Sequence, residues 1–223
     1  MNNLKLLIKF PTKSRPEKFF NTLNKYYSLL TTDSVEFVVS CDSDDYSMNN
    51  PDVISKMKTY KNLSFFFDNN KSKVEACNAN ISGREFDIIL LASDDMIPEI
   101  KGYDEIIKKV MFKYFPDMDG VLWFNDGFQQ MNLNTLSILG KTYYDRFGYI
   151  YNPKYKSLYC DKEFTIVSRS LKKVIYIQDC IIRHKQYSIT KEKPDELYIK
   201  NDSLESDDSK TFNTRALNNF QNG

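Results

Sequence analysis

The sequence predicts an α/β fold in which a mixed, mainly parallel sheet is flanked by helices. Short apolar runs alternate with segments whose apolar residues recur at helical spacing, which is typical of a parallel sheet. Polar side chains stand at the ends of the predicted strands, where such sheets bind ligands. A chain of 223 residues has room for one sizeable domain with a substantial core.

The first half of the chain alternates between predicted strands and predicted helices. Apolar runs bounded by turn-forming or polar residues predict strands at 4–10, 35–40, 63–67 and 86–91. Apolar residues at helical spacing predict helices at 16–30, 53–60 and 73–81. In this order the strands form a parallel sheet, with polar residues at its carboxyl edge.

The second half of the chain differs in composition and contains a stretch rich in tyrosine, glycine and asparagine. Its predicted elements are strands at 121–124, 174–177 and 180–182 and a helix at 164–174. From residue 191 onward the sequence is polar and acidic, so we expect a peripheral loop there. A terminal helix is predicted at 212–220.

Composition excludes several classes of protein. Glycine and proline are scarce, at seven residues each, which argues against collagen-like, linker-rich and disordered chains. The 31 Lys and Arg residues nearly balance the 30 Asp and Glu residues. No overall field therefore attracts nucleic acid or an anionic membrane, and we do not expect nucleic acid as a partner.

Cysteine usage and the first apolar run bear on the compartment. The four cysteines include no CxxC pair, which argues against a disulfide framework or a zinc knuckle. The apolar run at 4–10 contains two lysines and is too short for a signal peptide or a membrane span. We therefore expect a reduced, cytoplasmic protein without a membrane span.

The adjacent carboxylates of Asp94 and Asp95 follow the most apolar predicted strand. Two carboxylates at a strand end repel each other unless a cation or a water-filled cleft compensates. Hard oxygen ligands of this kind suit Mg²⁺ or Mn²⁺ bound to substrate phosphates. The alternative is a turn in which one aspartate caps the following helix. On the pair alone, the two interpretations are equally supported.

Three other side chains admit both a chemical and a structural interpretation. His184, the only histidine, follows an apolar run, where a structural hydrogen-bonding role is the commoner one. Beside carboxylates, however, its imidazole favours Mn²⁺ over Mg²⁺. Asp161 and Glu163 precede the predicted helix at 164–174, and acidic residues are typical of a helix's first turn. A catalytic base is the alternative role at that position.

Taken in order, the polar segments resemble the motifs of family 2-like GT-A glycosyltransferases. The matching features are Pro-Thr-x-x-Arg-Pro at 11–16, Asp42 after the second strand, Ser-Asp-Asp at 93–95, an acidic motif before a late helix, and His184 after a late strand. Each motif is weak alone, and their order and spacing carry the resemblance. It covers roughly residues 4 to 185.

The resemblance implies a nucleotide-diphosphate sugar as donor, with UDP as the expected nucleotide. In that family, the loop after the first strand and the aspartate that ends the second strand hold the nucleoside. A following helix borders the base and ribose, and the segment 73–78 resembles it. The residues thereby assigned to nucleotide binding are Pro11, Thr12, Arg15, Asp42, Lys73, Asn78 and Asp94.

The same resemblance implies a metal site and a catalytic base, with two departures from the family pattern. The family's Asp-x-Asp motif overlays residues 92–94, so its first carboxylate is replaced by alanine. We favour Asp95 as the direct ligand of Mn²⁺ or Mg²⁺, together with His184. The family's Glu-Asp motif overlays residues 160–161, where the glutamate is replaced by cysteine. Its catalytic aspartate falls on Asp161.

The acceptor is expected to be a glycan or another hydroxyl compound. The stretch 122–127 lies where such enzymes place the floor of the acceptor site. Trp123 is assigned to stacking on a sugar, Asp126 to binding a hydroxyl, and Glu163 to the acceptor side. A buried core tryptophan is an equally supported alternative for Trp123.

The implied reaction is displacement at the donor's anomeric carbon with inversion, with Asp161 taking the acceptor proton and the metal neutralising the diphosphate. A nucleotidyltransferase acting on a sugar phosphate is an alternative, although the loop 11–16 lacks the glycines that such enzymes use around triphosphate. A catalytically inactive nucleotide- or carbohydrate-binding protein is another, because of Ala92 and Cys160.

The resemblance also predicts the domain organisation. A GT-A domain is expected at 1–190, comprising a nucleotide-binding half at 1–100 and an acceptor half at 101–190. A tail with the terminal helix follows at 191–223.

Overall fold

A computed structural model describes residues 4–185, 199 and 203–221. Its strands are β1 (Leu6–Pro11), β2 (Val35–Asp42), β3 (Leu63–Asp68), β4 (Ile88–Leu91), β5 (Met96–Pro98), β6 (Val121–Phe124), β7 (Ile138–Gly140), β8 (Val174–Ile177) and β9 (Ile182–His184). Its helices are α1 (Pro16–Ser28), α2 (Pro51–Met57), α3 (Lys73–Asn78), α4 (Tyr103–Tyr114), α5 (Lys141–Asp145), α6 (Cys160–Ser170) and α7 (Glu205–Leu217).

The main sheet has seven strands in the order β3-β2-β1-β4-β7-β6-β8. Strands β1 to β4 run parallel to their neighbours in this group, and β6 runs parallel to β8. Strand β7 is antiparallel to both β4 and β6. A separate antiparallel pair joins β5 and β9. The prediction of a mixed, mainly parallel α/β sheet is therefore confirmed.

Alternation along the central strands divides the core between the two faces of the sheet. On β1, Leu6, Ile8 and Phe10 face a cluster that also contains buried residues of α1 and α4. Leu7 faces the opposite way, into a second cluster with residues of α5, α6 and α7. Both faces of β1 are thus covered, as expected for a central parallel strand.

The elements that the sequence analysis left out depend on different signals. Helix α4 carries buried Tyr103, Ile107 and Met111, whose spacing of four is helical and was available in the sequence. Strand β7 is three residues long, and its pairing with β4 and β6 makes it a strand. A strand of three residues is too short to show an alternation of apolar and polar residues in the sequence.

Three predicted elements in the second half have shifted boundaries. The helix predicted at 164–174 is α6, which begins at Cys160, so Asp161 and Glu163 lie inside its first turn. The strand predicted at 180–182 is β9, whose pairing with β5 reaches from Ile182 to His184. The predicted terminal helix is α7, which begins at Glu205, and its Asp208, Phe212 and Arg215 are buried. The helix is therefore packed against the rest of the fold. The loop expected before it lies largely outside the described residues.

Lys9 occupies an unusual place, because its side chain is 0% exposed within the sheet core. Its ammonium donates a hydrogen bond to the hydroxyl of Ser40, which in turn donates to the amide oxygen of Asn80. Burial lowers the pKa of Lys9 to about 7. The folded chain therefore holds this lysine near the midpoint of its titration at neutral pH.

We expect Lys9→Met to stabilise the fold most strongly at and below pH 7. Wild-type folding must there bury a charged ammonium, whereas between pH 7 and the ordinary lysine pKa of 10.5 only the unfolded chain binds the proton. Within that window, the free energy of unfolding of the wild type should therefore rise with pH, relative to that of the variant, by about 1.4 kcal/mol per pH unit. Urea unfolding at pH 6, 7, 8 and 9 measures the difference. A difference independent of pH would contradict this expectation.

Candidate functional site

One cleft, of about 270 Å³, opens where the polar ends of β1, β2 and β4 meet. Parallel pairing of β1 with both neighbours places these three ends side by side. The cleft is also bordered by α3, the start of α6 and the end of β9. The predicted site residues that line it are Pro11, Thr12, Arg15, Asp42, Lys73, Asp94, Asp95, Asp161 and His184.

Asp42, at the end of β2, is fixed by two side chains of the cleft wall. The ammonium of Lys13 donates to its carboxylate, and the amide of Asn70 donates to the other oxygen at 3.0 Å. Nearby, Asp45 accepts a hydrogen bond from the backbone N–H of Ser14 at 2.5 Å. The loop after β1 is thereby anchored to the end of β2.

Asp94 and Asp95, after β4, have different partners. Arg15 lies 3.3 Å from the carboxylate of Asp94. Burial and the neighbouring Asp95 raise the pKa of Asp94, and Arg15 opposes them. Asp95 accepts a hydrogen bond at Oδ1 from the hydroxyl of Ser93, and its Oδ2 faces His184. The two adjacent carboxylates are thus directed to different neighbours.

His184 reaches Asp95 because β9 pairs with β5 in a register that places His184 opposite Met96. Its Nε2 lies 3.6 Å from Oδ2 of Asp95, and its Nδ1 lies 3.6 Å from Oδ2 of Asp126. Burial lowers the pKa of His184, but the two carboxylates outweigh it and raise the pKa to about 9. The imidazole therefore lies between two acidic groups.

Asp126 is a well-anchored carboxylate behind the histidine. It accepts hydrogen bonds from the Thr135 hydroxyl at 2.7 Å and from the backbone N–H groups of Phe128 and Gln130 at 2.9 and 3.0 Å. Burial raises its pKa, but these donors and His184 outweigh burial and hold the pKa of Asp126 below its usual range. Asp126 lies outside the described lining of the cleft and faces His184, and its contact with an acceptor hydroxyl stays a prediction.

The protein side chains at the cleft supply only some of the ligands that a divalent cation needs. Among residues 4–185, 199 and 203–221, no group of three or more His, Cys, Asp or Glu side chains is arranged to hold a metal. Asp95 and His184 Nε2 nevertheless present a carboxylate and an imidazole 3.6 Å apart. Nδ1 is buried, makes no hydrogen bond in the described structure and lies 3.6 Å from Asp126, on the side where metal-binding histidines commonly have a carboxylate. This donor set fits Mn²⁺ or Mg²⁺ whose other ligands are water and a diphosphate.

Asp161 projects from the first turn of α6 into the cleft. The helix starts directly after Tyr159, whose φ of 61° lies in the left-handed region. Burial raises the pKa of Asp161, and the Lys73 ammonium opposes that rise. A carboxylate with a raised pKa in a substrate-sized cleft is suited to general base catalysis.

Asn78 and Trp123 lie outside the described lining of the cleft, contrary to their assigned roles. The Asn78 amide bonds to the backbone of Ile150 and Tyr151, donating once and accepting twice. Trp123 is 3% exposed, with the Arg169 guanidinium 4.6 Å from the centre of its ring and Tyr176 in a T-shaped contact with it. The three hydrogen bonds of the Asn78 amide therefore fix the loop at residues 150–151. Because both are engaged, we no longer assign Asn78 to the nucleotide or Trp123 to a sugar.

Glu163, assigned to the acceptor side, is also committed elsewhere. Its carboxylate forms a two-pronged pair with Arg215 of α7 at 2.7 and 2.9 Å and accepts a hydrogen bond from the Tyr155 hydroxyl at 2.7 Å. Both members of the ion pair are buried. This geometry gives Glu163 the role of joining α6 to α7.

Several lining residues were missing from the sequence analysis. Asn70, Lys71 and Ser72 follow β3, and the rule that strand ends carry ligands would have selected them along with Asp42. The others come from loops of the second half and from the C-terminal region, where tertiary packing decides the position. These are Thr135, Tyr151, Ser157, Leu158 and Leu204.

The sheet order and the polar cleft at its carboxyl edge define the GT-A fold, as expected. The structure is similar to the mannosyltransferase PcManGT from Pyrobaculum calidifontis in complex with GDP-Man and Mn²⁺, with a TM-score of 0.67 and 13% identity over 87% of this chain and 58% of that one. It is also similar to residues 1–349 of TarS from S. aureus in complex with UDP-GlcNAc, with a TM-score of 0.65 and 15% identity over 87% of this chain and 60% of that one.

These similarities establish the fold, and the chain spans about three fifths of the length of those two structures. No protein-family model matches the sequence, and no curated protein matches it. Within the described part of the chain, none of the helices combines the length and apolar character that crossing a membrane requires.

We expect Glu163→Gln to destabilise the fold, because it leaves the buried guanidinium of Arg215 without a counter-charge. Breaking a buried pair in this way costs about 3–5 kcal/mol, which thermal or urea unfolding measures directly. The matched control is Asp145→Asn, which breaks the exposed pair with Lys141 and should cost less than about 1 kcal/mol. Unchanged stability with weakened acceptor binding would instead restore Glu163 to the acceptor site.

Proposed function

We propose that this chain is a glycosyltransferase that moves a sugar from a nucleotide diphosphate to a hydroxyl acceptor, with Mn²⁺ or Mg²⁺ as cofactor and UDP as the expected nucleotide. The observation that carries the proposal is the cleft itself, which brings Asp95, His184 and Asp161 together at the carboxyl edge of a GT-A sheet. Support comes from the similar structures, whose complexes contain GDP-Man with Mn²⁺ or UDP-GlcNAc.

The nucleotide is assigned to the end of the cleft formed by the loop after β1 and the ends of β2 and β3. Asp42 offers a carboxylate that accepts from an imide N–H such as that of uracil. It is held by Asn70 and Lys13, so both neighbours present hydrogen-bond donors beside it. This combination of donors and an acceptor is suited to a base edge that contains both kinds of group.

The diphosphate is assigned to the region between the strand ends and α3. Arg15 and Lys73 line this part of the cleft and contribute positive charge toward phosphate oxygens. Asp95 and His184 Nε2 would hold the cation, and Asp126 would orient the imidazole from behind. A bound divalent cation would neutralise charge on the departing diphosphate.

Asp161 is proposed as the general base. Its carboxylate accepts the proton of the acceptor hydroxyl while the acceptor oxygen bonds to the anomeric carbon and the bond from that carbon to the diphosphate oxygen breaks. Attack opposite the leaving group inverts the configuration of that carbon. The raised pKa of Asp161 increases its strength as a base.

The first test separates nucleotide classes. UDP present at about 100 times its Kd should stabilise the folded state by about 2.7 kcal/mol, and the rise in melting temperature should be larger with Mn²⁺ than without it. The difference made by Mn²⁺ should shrink in His184→Ala. Differential scanning fluorimetry with UDP, GDP, CDP and ADP measures all of these. A parallel set with UTP and a sugar phosphate, in which pyrophosphate release is assayed, tests the nucleotidyltransferase alternative.

Each result of that screen has a defined consequence. Stabilisation by GDP or CDP but not UDP would replace the donor assignment. Stabilisation by a nucleoside triphosphate together with pyrophosphate release would favour a nucleotidyltransferase. The absence of any shift would overturn the proposed function.

The second test concerns the base. Asp161→Asn should leave UDP and Mn²⁺ binding near wild type while turnover falls by about 10² or more, because the amide cannot accept the proton. Sugar transfer measured with saturating donor provides the readout. The matched control is Asp52→Asn, which changes the first-turn carboxylate of α2 and should leave turnover unaltered. Normal turnover in Asp161→Asn would assign that carboxylate to a helix start only.

A further inference from the structure

Asp208, on the C-terminal helix α7, holds a loop that leads directly to Asp161. The Asp208 carboxylate is 1% exposed and accepts hydrogen bonds from three consecutive backbone N–H groups, those of residues 156–158, at 2.9, 2.7 and 2.7 Å. A buried carboxylate needs such donors, and bonds to a charged acceptor are among the stronger ones. Asp208 therefore attaches α7 to this loop through three hydrogen bonds.

The same loop is connected to the other side of the cleft. The carbonyl of Lys156 accepts a hydrogen bond from the backbone N–H of Val74 at 3.1 Å, in the first turn of α3 beside Lys73. Ser157 and Leu158 line the cleft. A shift of residues 156–158 would therefore move cleft-lining groups on both sides of the site.

Only one residue separates this loop from α6. Tyr159, with its left-handed φ of 61°, sets the angle at which α6 leaves the loop, and Asp161 follows in the first turn. On the far side, Arg215 of α7 holds Glu163 of the same turn at 2.7 and 2.9 Å. Helix α7 thus fastens the segment 156–163 at both ends, with Asp161 between the two attachments.

We propose that Asp208 is a positioning residue for the reaction at Asp161, an inference that rests on the proposed function. It holds the loop 156–158 in the geometry from which α6 directs the Asp161 carboxylate into the cleft. Loss of its three hydrogen bonds releases the loop, and displacement of a catalytic group by about 1 Å can lower turnover by about 10². The C-terminal helix is accordingly part of the catalytic apparatus although none of its residues takes part in the chemistry.

The test compares Asp208→Ala, Asp208→Asn and Asp207→Asn. In Asp208→Asn, the remaining carbonyl oxygen can still accept from residues 157 and 158, while the amide group faces the N–H of Lys156. The matched control, Asp207→Asn, changes the adjacent carboxylate, which forms an exposed pair with Lys156 at 3.1 Å. Circular dichroism and thermal unfolding first fix a temperature at which every variant is folded.

At that temperature we expect kcat to fall by about 10² in Asp208→Ala and by roughly tenfold in Asp208→Asn. Asp207→Asn should behave as wild type. The donor KM and the affinity for UDP with Mn²⁺ should change less than kcat in the two Asp208 variants and should not change in Asp207→Asn. A purely structural role predicts a lower melting temperature with normal kcat in the folded enzyme, and this result would overturn the inference.

Amide hydrogen exchange separates this inference from the proposed function. Amides in the segment 156–163 should exchange faster in Asp208→Ala and, to a smaller extent, in Asp208→Asn, but not in Asp207→Asn. If wild type transfers no sugar from any donor, the proposed function fails, and exchange still shows whether Asp208 holds the loop. Unchanged exchange in both Asp208 variants would overturn the inference whatever the activity. If Asp208→Ala fails to fold, Asp208→Asn provides both readouts.

Discussion

The parallel pairing of β1 with both β2 and β4 is the constraint on which the site depends. Leu6 of β1 lies opposite Val35 of β2 and Ile88 of β4, so the three strands run in step and end at the same edge. The segments that follow them supply Arg15, Asp42 and the pair of aspartates to one cleft. Without this register, groups more than 70 residues apart in sequence, such as Arg15 and Asp94, could not form an ion pair.

A second pairing, between β5 and β9, brings the late part of the chain to that edge. It is only three residues long on each strand, yet it places His184 within 3.6 Å of Asp95. The backbone N–H of His184 donates a hydrogen bond to the backbone carbonyl of Asp126 at 2.9 Å, which fixes β9 on its other side. The metal-binding pair proposed here therefore requires two separate backbone contacts to hold one imidazole in place.

Local patterns in the sequence were sufficient for the residues at strand ends and insufficient for those placed by packing. Asp42 and Asp95 follow apolar runs, so their position at the sheet edge follows from the strand pattern alone. Trp123 also belongs to an apolar run, but whether it faces solvent or Arg169 depends on α6, and Arg169 lies 46 residues downstream. The partner of Glu163 lies 52 residues downstream in a helix of low amphipathicity, and no spacing rule connects the two.

The two positions at which the chain differs from the glycosyltransferase motifs that it resembles have different consequences. Ala92 is buried, and Ser93 instead donates to Asp95, so a carboxylate remains available to a cation. Cys160 is also buried, and burial raises the pKa of its thiol well above its ordinary value, so it brings no negative charge to the cleft. Glu163 cannot take the place of the glutamate of that motif, because its carboxylate is held by Arg215. At the start of α6, Asp161 is thus left as the carboxylate that lines the cleft. A chemical role for this helix start therefore depends on that single side chain, and on the C-terminal helix that holds its segment in position.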